Sequence, residues 1–438
     1  VAAAREKPRK AKVHLGFGRA DVGFPWLSGA EKANVSQGMP RKAKVVARNA
    51  SGATQGEAAM KLKIRDLELI GLEHRHAPGK EYGASRLLAP RRACALVKIM
   101  LDNGAVGWGE ALGPPEATAG YWKMLAGYYR GTDPFDREII WQQILGRHYH
   151  LGIQNAMVVA YSGINVAIYD ALGQTLGVPA HKLLGGKARG SIVAYASDGY
   201  ITRNPDPDLE RQLKGEAGKG FTAYKIKIGL SLESDVRRCA LARAIIGDAA
   251  LLMVDVNGNY TVDRALESMR LIAPYRPYWY EEPLPPQDYA GYARLAARAS
   301  VPVAAGEAHF TAFDFQRLFA GGLDIAQPDI ASVGGFDEAL KIATLAKVHN
   351  KRLMPHVWGS GVGVAAAIQL IAALPPYPHS DNEPDPVFLE YDVGDNPLRD
   401  AILKTPIKVE EGIVSVGDAP GLGIAVDEDA LQRFRIAL

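Results

Sequence analysis

From residue 60 the chain opens on near-strict alternation. In Met60-Lys-Leu-Lys-Ile-Arg-Asp-Leu-Glu-Leu-Ile70 apolar and charged positions take turns, the period of a strand with one buried face. A second apolar segment, Cys94 to Leu101, runs into Asp102-Asn103-Gly104 and returns as Ala105 to Ala111. Asn-Gly between apolar alternations predicts a hairpin, because both central turn residues need positive φ. Between the first two strands lies a loop, His74 to Arg92, rich in His, Gly, Pro and Arg. Further on, Gln154 to Leu176 spaces Ala and Leu as a buried helix does. Residues 60–186 therefore read as a small α+β domain.

From about Ser191 the pattern changes to short apolar runs alternating with amphipathic stretches such as Glu233 to Ile246, Ala265 to Ala273 and Phe336 to Asn350. Eight apolar runs end near Asp198, Gly229, Gly258, Pro283, His309, Ile330, Trp358 and Tyr391. Apolar strands that alternate with helices imply parallel βαβ units. Eight of them predict an α/β fold with a (β/α)8-type barrel over residues 187–404, or a (β/α)7β variant. Residues 405–438 return to hairpin-like strands and are expected to rejoin the first domain as part of its cap.

Length agrees, since 438 residues exceed a single average core. The balance of 47% hydrophobic and 23% charged residues is that of an ordinary globular chain. No unbroken apolar run approaches the roughly 20 residues that span a bilayer. Cys94 and Cys239 have neither disulfide-framework nor metal-ligand spacing. They read as reduced thiols and the protein as cytoplasmic. The net charge of +3 hides an asymmetry: residues 1–59 hold eleven basic and four acidic residues, +7, and the rest of the chain is −4. That basic stretch has no sustained apolar period, so it reads as a disordered tail. Met60 is then a candidate natural start, with the tail as translated upstream sequence. The basic residues are too sparse for a nucleic-acid or membrane arm, so neither partner is expected.

Chemistry-bearing residues recur at the predicted strand ends. Lys225 and Lys227 lie on the second, Asp255 on the third, Glu281 on the fourth, Glu307 on the fifth, Asp329 on the sixth, His356 on the seventh and Glu390 on the eighth. Asp255, Glu281 and Glu307 are 26 residues apart in turn, about one βα unit, which puts them at equivalent places around the barrel mouth. Three converging carboxylates repel one another unless a divalent cation joins them, and an all-oxygen set favours Mg2+ or Mn2+ over zinc. Each acid alone is as well explained as a helix N-cap; three at unit spacing are not. In Lys225-x-Lys227 both side chains share a face, and two ammonium groups there depress each other's pKa, as a general-base lysine needs. Asp329 could hold the ring of His356 and raise its basicity. Glu390 is either a salt-bridge partner or, if protonated, a donor to an enolate oxygen.

These strings carry a resemblance. Gly107-Trp-Gly-Glu-Ala111, Tyr224-Lys-Ile-Lys-Ile-Gly229, Val254-Asp-Val-Asn-Gly258, Tyr280-Glu-Glu-Pro283, Ala305-Gly-Glu307, Gln327-Pro-Asp329, Met354-Pro-His356 and Leu389-Glu-Tyr391 occur in the order and spacing of the mandelate racemase subgroup of the enolase superfamily. Residues 60–438 resemble that subgroup almost throughout. The resemblance implies a metal held by Asp255, Glu281 and Glu307, with Glu282 behind Glu281. It implies a substrate carboxylate on that metal, Lys227 as acid/base on one face of its α-carbon with Lys225 beside it, and His356 held by Asp329 on the other. Glu390 would hydrogen-bond the developing enolate. Some sugar-acid dehydratases of the superfamily have a catalytic His two residues after the first ligand; here that residue is Asn257, a substrate-binding candidate instead.

A base on each face allows racemisation or epimerisation of a 2-hydroxy acid. It equally allows loss of a β-hydroxyl, which yields a 2-keto-3-deoxy acid. In this family the His74–Arg92 loop closes over the substrate, and here it carries Arg75, His76, Lys80, Tyr82 and Arg86. Such a polar, cationic set suits a polyhydroxy acid better than an aromatic one. The expectation is a lyase dehydrating an aldonic or aldaric acid, with the racemase as the alternative. The partner is a small-molecule carboxylate, and a homo-oligomer is expected as for other family members.

Overall fold

A computed structural model describes residues 61–376 and 386–438. The basic stretch 1–59 and the candidate start Met60 lie outside the described residues. Strand Ile64–Arg75 pairs antiparallel with Arg91–Leu101, which pairs in turn with Val106–Leu112. The hairpin forms, but through a wider turn than the two-residue one: Gly104 takes positive φ, 88°, while Asn103 does not, Gly104 N donates to Leu101 O at 3.0 Å, and the Asn103 side chain accepts a hydrogen bond from Ala105 N at 3.0 Å. The loop from His74 is shorter than its composition suggests. The first strand persists to Arg75, and a small hairpin, Tyr82–Gly83 with Leu88–Ala89, fills the excursion. At the other end of the chain, Arg435–Ile436 adds a strand beside Gly71 and Leu72. Ile413–Ser415 pairs instead with Ser191–Val193 at the base of the barrel.

Helix Ala156–Leu176 lies across this sheet. Asn155 caps it through Met157 N, and Gly177 ends it in the left-handed region. By length and apolar composition the helix could cross a membrane, but 94% of its most apolar window is buried inside the protein. It is a core helix. Gly107 and Gly109 let it approach the strand backbone to backbone: a Cβ at Gly109 would overlap the carbonyl oxygen of Gly163, and one at Gly107 that of Ala167. Backbone cannot step aside as a side chain can. Gly109→Ala is therefore expected to cost about 1–3 kcal/mol or more of unfolding free energy, read from the urea midpoint at unchanged slope.

The barrel strands are Ser191–Ser197, Ala223–Lys227, Leu251–Asp255, Pro277–Glu281, Val303–Ala305, Ile325–Ala326, Arg352–Leu353 and Leu389–Asp392. All are parallel to their neighbours, and the eighth pairs with the first. The circle closes between the seventh and eighth through a side chain: Glu390 accepts from Val357 N at 3.0 Å. Long helices follow the first seven strands, whereas the eighth is followed by the four-residue helix Pro397–Asp400. The (β/α)7β description therefore fits better than a full eightfold repeat.

Tyr195, Ala223, Met253, Trp279, Ala304, Ile325, Met354 and Phe388 fill the barrel interior as one apolar cluster. Seven of the eight stand two residues before a polar side chain at the mouth: Ser197, Lys225, Asp255, Glu281, Gln327, His356 and Glu390. Side chains at i and i+2 on a strand share a face. The same alternation that packs the plug thus aims the next residue into the site above it.

Candidate active site

Strand register sets the polar residues level with one another. Lys227 pairs with Asp255, and Asp255 with Glu281, so three adjacent strands end on a lysine and two carboxylates at one height. Glu307 stands two residues beyond its own strand, and ligand oxygens of Asp255, Glu281 and Glu307 all lie within 4.8 Å of one another. Asp329 and His356 follow the sixth and seventh strands and form a parallel bridge. His356 Nδ1 is 2.7 Å from Asp329 Oδ2, which turns Nε2 inward. The eight residues expected from strand-end spacing are thus brought together.

Burial and pairing set the electrostatics. Lys225 sits 2.5 Å from Glu281 and 2.7 Å from Glu390, and Lys227 is 2.5 Å from Asp255. Burial, the largest influence on Lys227, pulls its pKa down and Lys225 adds to that. The Asp255 carboxylate, with Glu307 and Glu281, outweighs both and leaves it raised. Lys225 is raised further by Glu281 and Glu390 against the same burial. The mutual depression expected of the two lysines exists but is the smaller effect, because each ammonium rests on a carboxylate. Burial also lowers His356, yet Glu307, Glu390 and Asp329 bring it up to about 10. Glu390 is held well below the usual carboxylate range, burial being overcome by Lys225 and His356. It accepts from Ser197 Oγ at 2.7 Å as well as from Val357 N. Of its two readings, these distances match the salt-bridge partner.

The carboxylates fit a hard divalent cation. Burial, reinforced by Glu307, Asp255 and Glu281, raises Glu282 well above its ordinary range, and burial with the neighbouring acids lifts Glu281 to about 7. Buried Glu307 Oε2, Glu282 Oε1 and Asn257 Oδ1 accept no hydrogen bond, although His356 Nε2 stands 3.0 Å from Glu307 Oε2. Buried oxygen atoms short of donors, beside acids that repel one another, form a cradle that a cation satisfies. Glu281 is aimed by Trp279 Nε1 at 2.9 Å and Gln327 Nε2 at 2.7 Å. Neither of these was singled out from sequence, nor was Ser197. Their signal was the i−2 position of Trp279 and the Gln-x-Asp string of strand six.

The loop candidates separate. Ser85 Oγ donates to Val256 O at 2.7 Å, and Arg86 reaches within contact of the Gly258 position, so the hairpin tip covers the end of the third strand. Asn257, with φ 53°, stands at the same place, its amide 3.4 Å from Glu307 Oε1. The other four candidates contact different groups. Arg75 is exposed and paired with Glu73. Tyr82 is buried, donating to Asp395 O and accepting from Arg92 Nε at 2.6 Å. His76 packs on Tyr82, and Lys80 lines an outer cleft with Asp208. The reason is the hairpin itself, which turns only its tip toward the mouth.

Two family models match the chain. Residues 86–185 match the N-terminal domain of mandelate racemase / muconate lactonizing enzyme, and residues 208–430 the enolase C-terminal domain-like family. The chain belongs to the mandelate racemase and muconate lactonizing enzyme family of the enolase superfamily. Among curated relatives, D-galactarolactone cycloisomerase of Agrobacterium fabrum is 40% identical over 86% of this chain and 99% of that protein. Arabinonate dehydratase of Saccharolobus solfataricus is 30% identical over 77% of this chain and 89% of that one. Among solved structures, the 3,6-anhydro-D-galactonate cycloisomerase from Zobellia galactanivorans superposes with TM-score 0.77 at 34% identity, covering 86% of this chain and all of that one. A Streptomyces coelicolor racemase with bound magnesium gives TM-score 0.75 at 28% identity, over 85% of this chain and all of the other. The protein is thus an enzyme of a superfamily whose members bind magnesium.

Proposed function

We propose that this enzyme is a cycloisomerase of acid sugars. It would remove the proton α to a free carboxylate and expel a ring oxygen, lactone or ether, from the β-carbon. The supporting observation is full-length likeness to D-galactarolactone cycloisomerase at 40% identity. A divalent cation held by Asp255, Glu281 and Glu307 supplies a Lewis acid for the substrate carboxylate and the charge that develops on it. Lys227 takes the α-proton, and Lys225 keeps that corner of the site positive. The electrons of the broken C–H bond form a C=C bond, and those of the C–O bond leave on the ring oxygen. His356, its ring fixed by Asp329, carries a proton at Nε2 for that oxygen or for the carbon when the enol becomes a ketone. No water is lost, so the 2-keto-3-deoxy product is an isomer of the substrate.

The dehydratase expected from the loop uses the same residues with a hydroxyl as leaving group, and likeness to arabinonate dehydratase favours it. Product mass separates the two. Incubated with magnesium and a panel of aldarolactones, anhydroaldonic acids and open-chain aldonic acids, the enzyme is expected to give a 2-keto acid of unchanged mass from a cyclic substrate. Keto acid formed only from open-chain acids, lighter by one water, would overturn the cycloisomerase in favour of the dehydratase. Substrate returned with deuterium and inverted at the α-carbon, without keto acid, would mean a racemase.

A further inference from the structure

At the root of the hairpin, outside the carboxylate cluster, stand His74, His76 and Asp395. One ligand atom from each lies within 4.8 Å of the other two. The two histidines alternate at the end of the first cap strand, their rings 5.6 Å apart at 85°. Asp395 is in the turn after the eighth barrel strand, its side chain 77% exposed and 3.9 Å from His74 Nε2. Ordinary packing does not account for the chemistry here. His76 Nε2 is buried and has no hydrogen-bond partner, a costly state for a ring nitrogen unless something occupies its lone pair. The His76 ring packs against Tyr82, centroids 4.6 Å apart, and against His74.

We propose that His74, His76 and Asp395 form a second cation site, of the zinc class, that ties the root of the hairpin to the eighth barrel strand. The donor set decides the class: two imidazoles and one carboxylate suit Zn2+, Co2+ or Ni2+, whereas the all-oxygen cluster in the barrel suits Mg2+. The three ligands need to close by about an ångström to reach tetrahedral spacing at Zn–N of about 2.0–2.1 Å. Asp395, on an exposed turn, is free to supply that movement. His76 and Asp395 also line a cleft of about 620 Å3 with Lys80, Tyr82 and Asp198, from which water would complete the shell. The bond would join two distant segments that both reach the active site. Ten residues beyond His76, Arg86 touches the mouth, and five before Asp395 stands Glu390. A cation here holds the hairpin over the barrel.

Zinc added to the full-length, magnesium-saturated protein is the test, with calorimetric stoichiometry and thermal midpoint as readouts. One equivalent of Zn2+ is expected to bind beyond the magnesium and raise the midpoint. With Co2+ in its place, the intense visible absorption of a four-coordinate nitrogen-containing site should appear. Asp395→Asn, at an exposed position, and His76→Gln should each weaken that equivalent by at least the roughly 10–100-fold that loss of an outer partner costs. Glu281→Gln should leave it in place, which separates this site from the barrel cluster. No zinc equivalent in excess magnesium, or an equivalent kept unchanged in both Asp395→Asn and His76→Gln, would overturn the proposal and leave the histidines as a packed pair.

Discussion

Lys227→Ala is expected to lower turnover by about 10²–10⁴-fold and to abolish exchange of the α-proton with deuterated solvent. His356→Asn should lower turnover over the same range while exchange survives. The asymmetry comes from what holds each proton. The strongest attraction on the Lys227 proton is Asp255, one of the three carboxylates that fit the cation. Once that charge is engaged elsewhere, burial and the Lys225 ammonium remain, and both favour the neutral amine. His356 also leans on a cation ligand, Glu307, but keeps Asp329 and Glu390, which are outside that set. It stays the better proton donor. On the proposed reading Lys227 starts the reaction and His356 completes it, so only the lysine should be needed for exchange. Exchange lost in His356→Asn but kept in Lys227→Ala would reverse the two roles. Full activity in both variants would remove the mechanism altogether.

The positions of the carboxylates and lysines at the barrel mouth were legible because they depend on a repeat. One βα unit separates Asp255, Glu281 and Glu307, and a parallel barrel converts equal spacing into equal height through its register. The residues beneath them were legible in principle for the same reason, since strand alternation places Trp279 under Glu281 and Met253 under Asp255. The hairpin had no such periodicity. Its course is set by contacts far away in sequence: Ser85 on Val256, and Tyr82 on an Arg92 that is itself paired with Asp392. Composition alone made Arg75, His76, Lys80 and Tyr82 look equivalent to Arg86, and they are not. Proton occupancy was the other blind spot. That Lys225 stands between Glu281 and Glu390 rather than beside Lys227 alone is a matter of ångströms, which no pattern of residue types conveys. The raised lysine pKa values and the lowered one of Glu390 follow from those distances.

Those crowded carboxylates lead to the second large effect. Magnesium at 100 times its dissociation constant should stabilise the wild-type protein by about 2.7 kcal/mol, and a chelator should abolish both that gain and turnover. Glu281→Gln should lose the gain and reduce turnover at least as far as Lys227→Ala. It keeps the side-chain shape, so an acceptor remains for Trp279 Nε1 and Gln327 Nε2, and Lys225 retains Glu390. The charge is removed, and with it the Oε1 acceptor that Lys225 uses. Its metal-free thermal midpoint sets the repulsion among the acids, which Gln relieves, against the lost Lys225–Glu281 pair. The sign with pH follows from Glu281 being raised to about 7 from an ordinary 4.5. The folded protein holds this proton more tightly than the unfolded chain, so the contribution is fully present below about 4.5 and is lost as pH rises through about 7. Without metal, wild-type stability should decline across that window, and the decline should be smaller in Glu281→Gln and with magnesium bound. Turnover that survives chelation, with no magnesium-dependent shift in the wild type, would show that the three carboxylates are not a cation site.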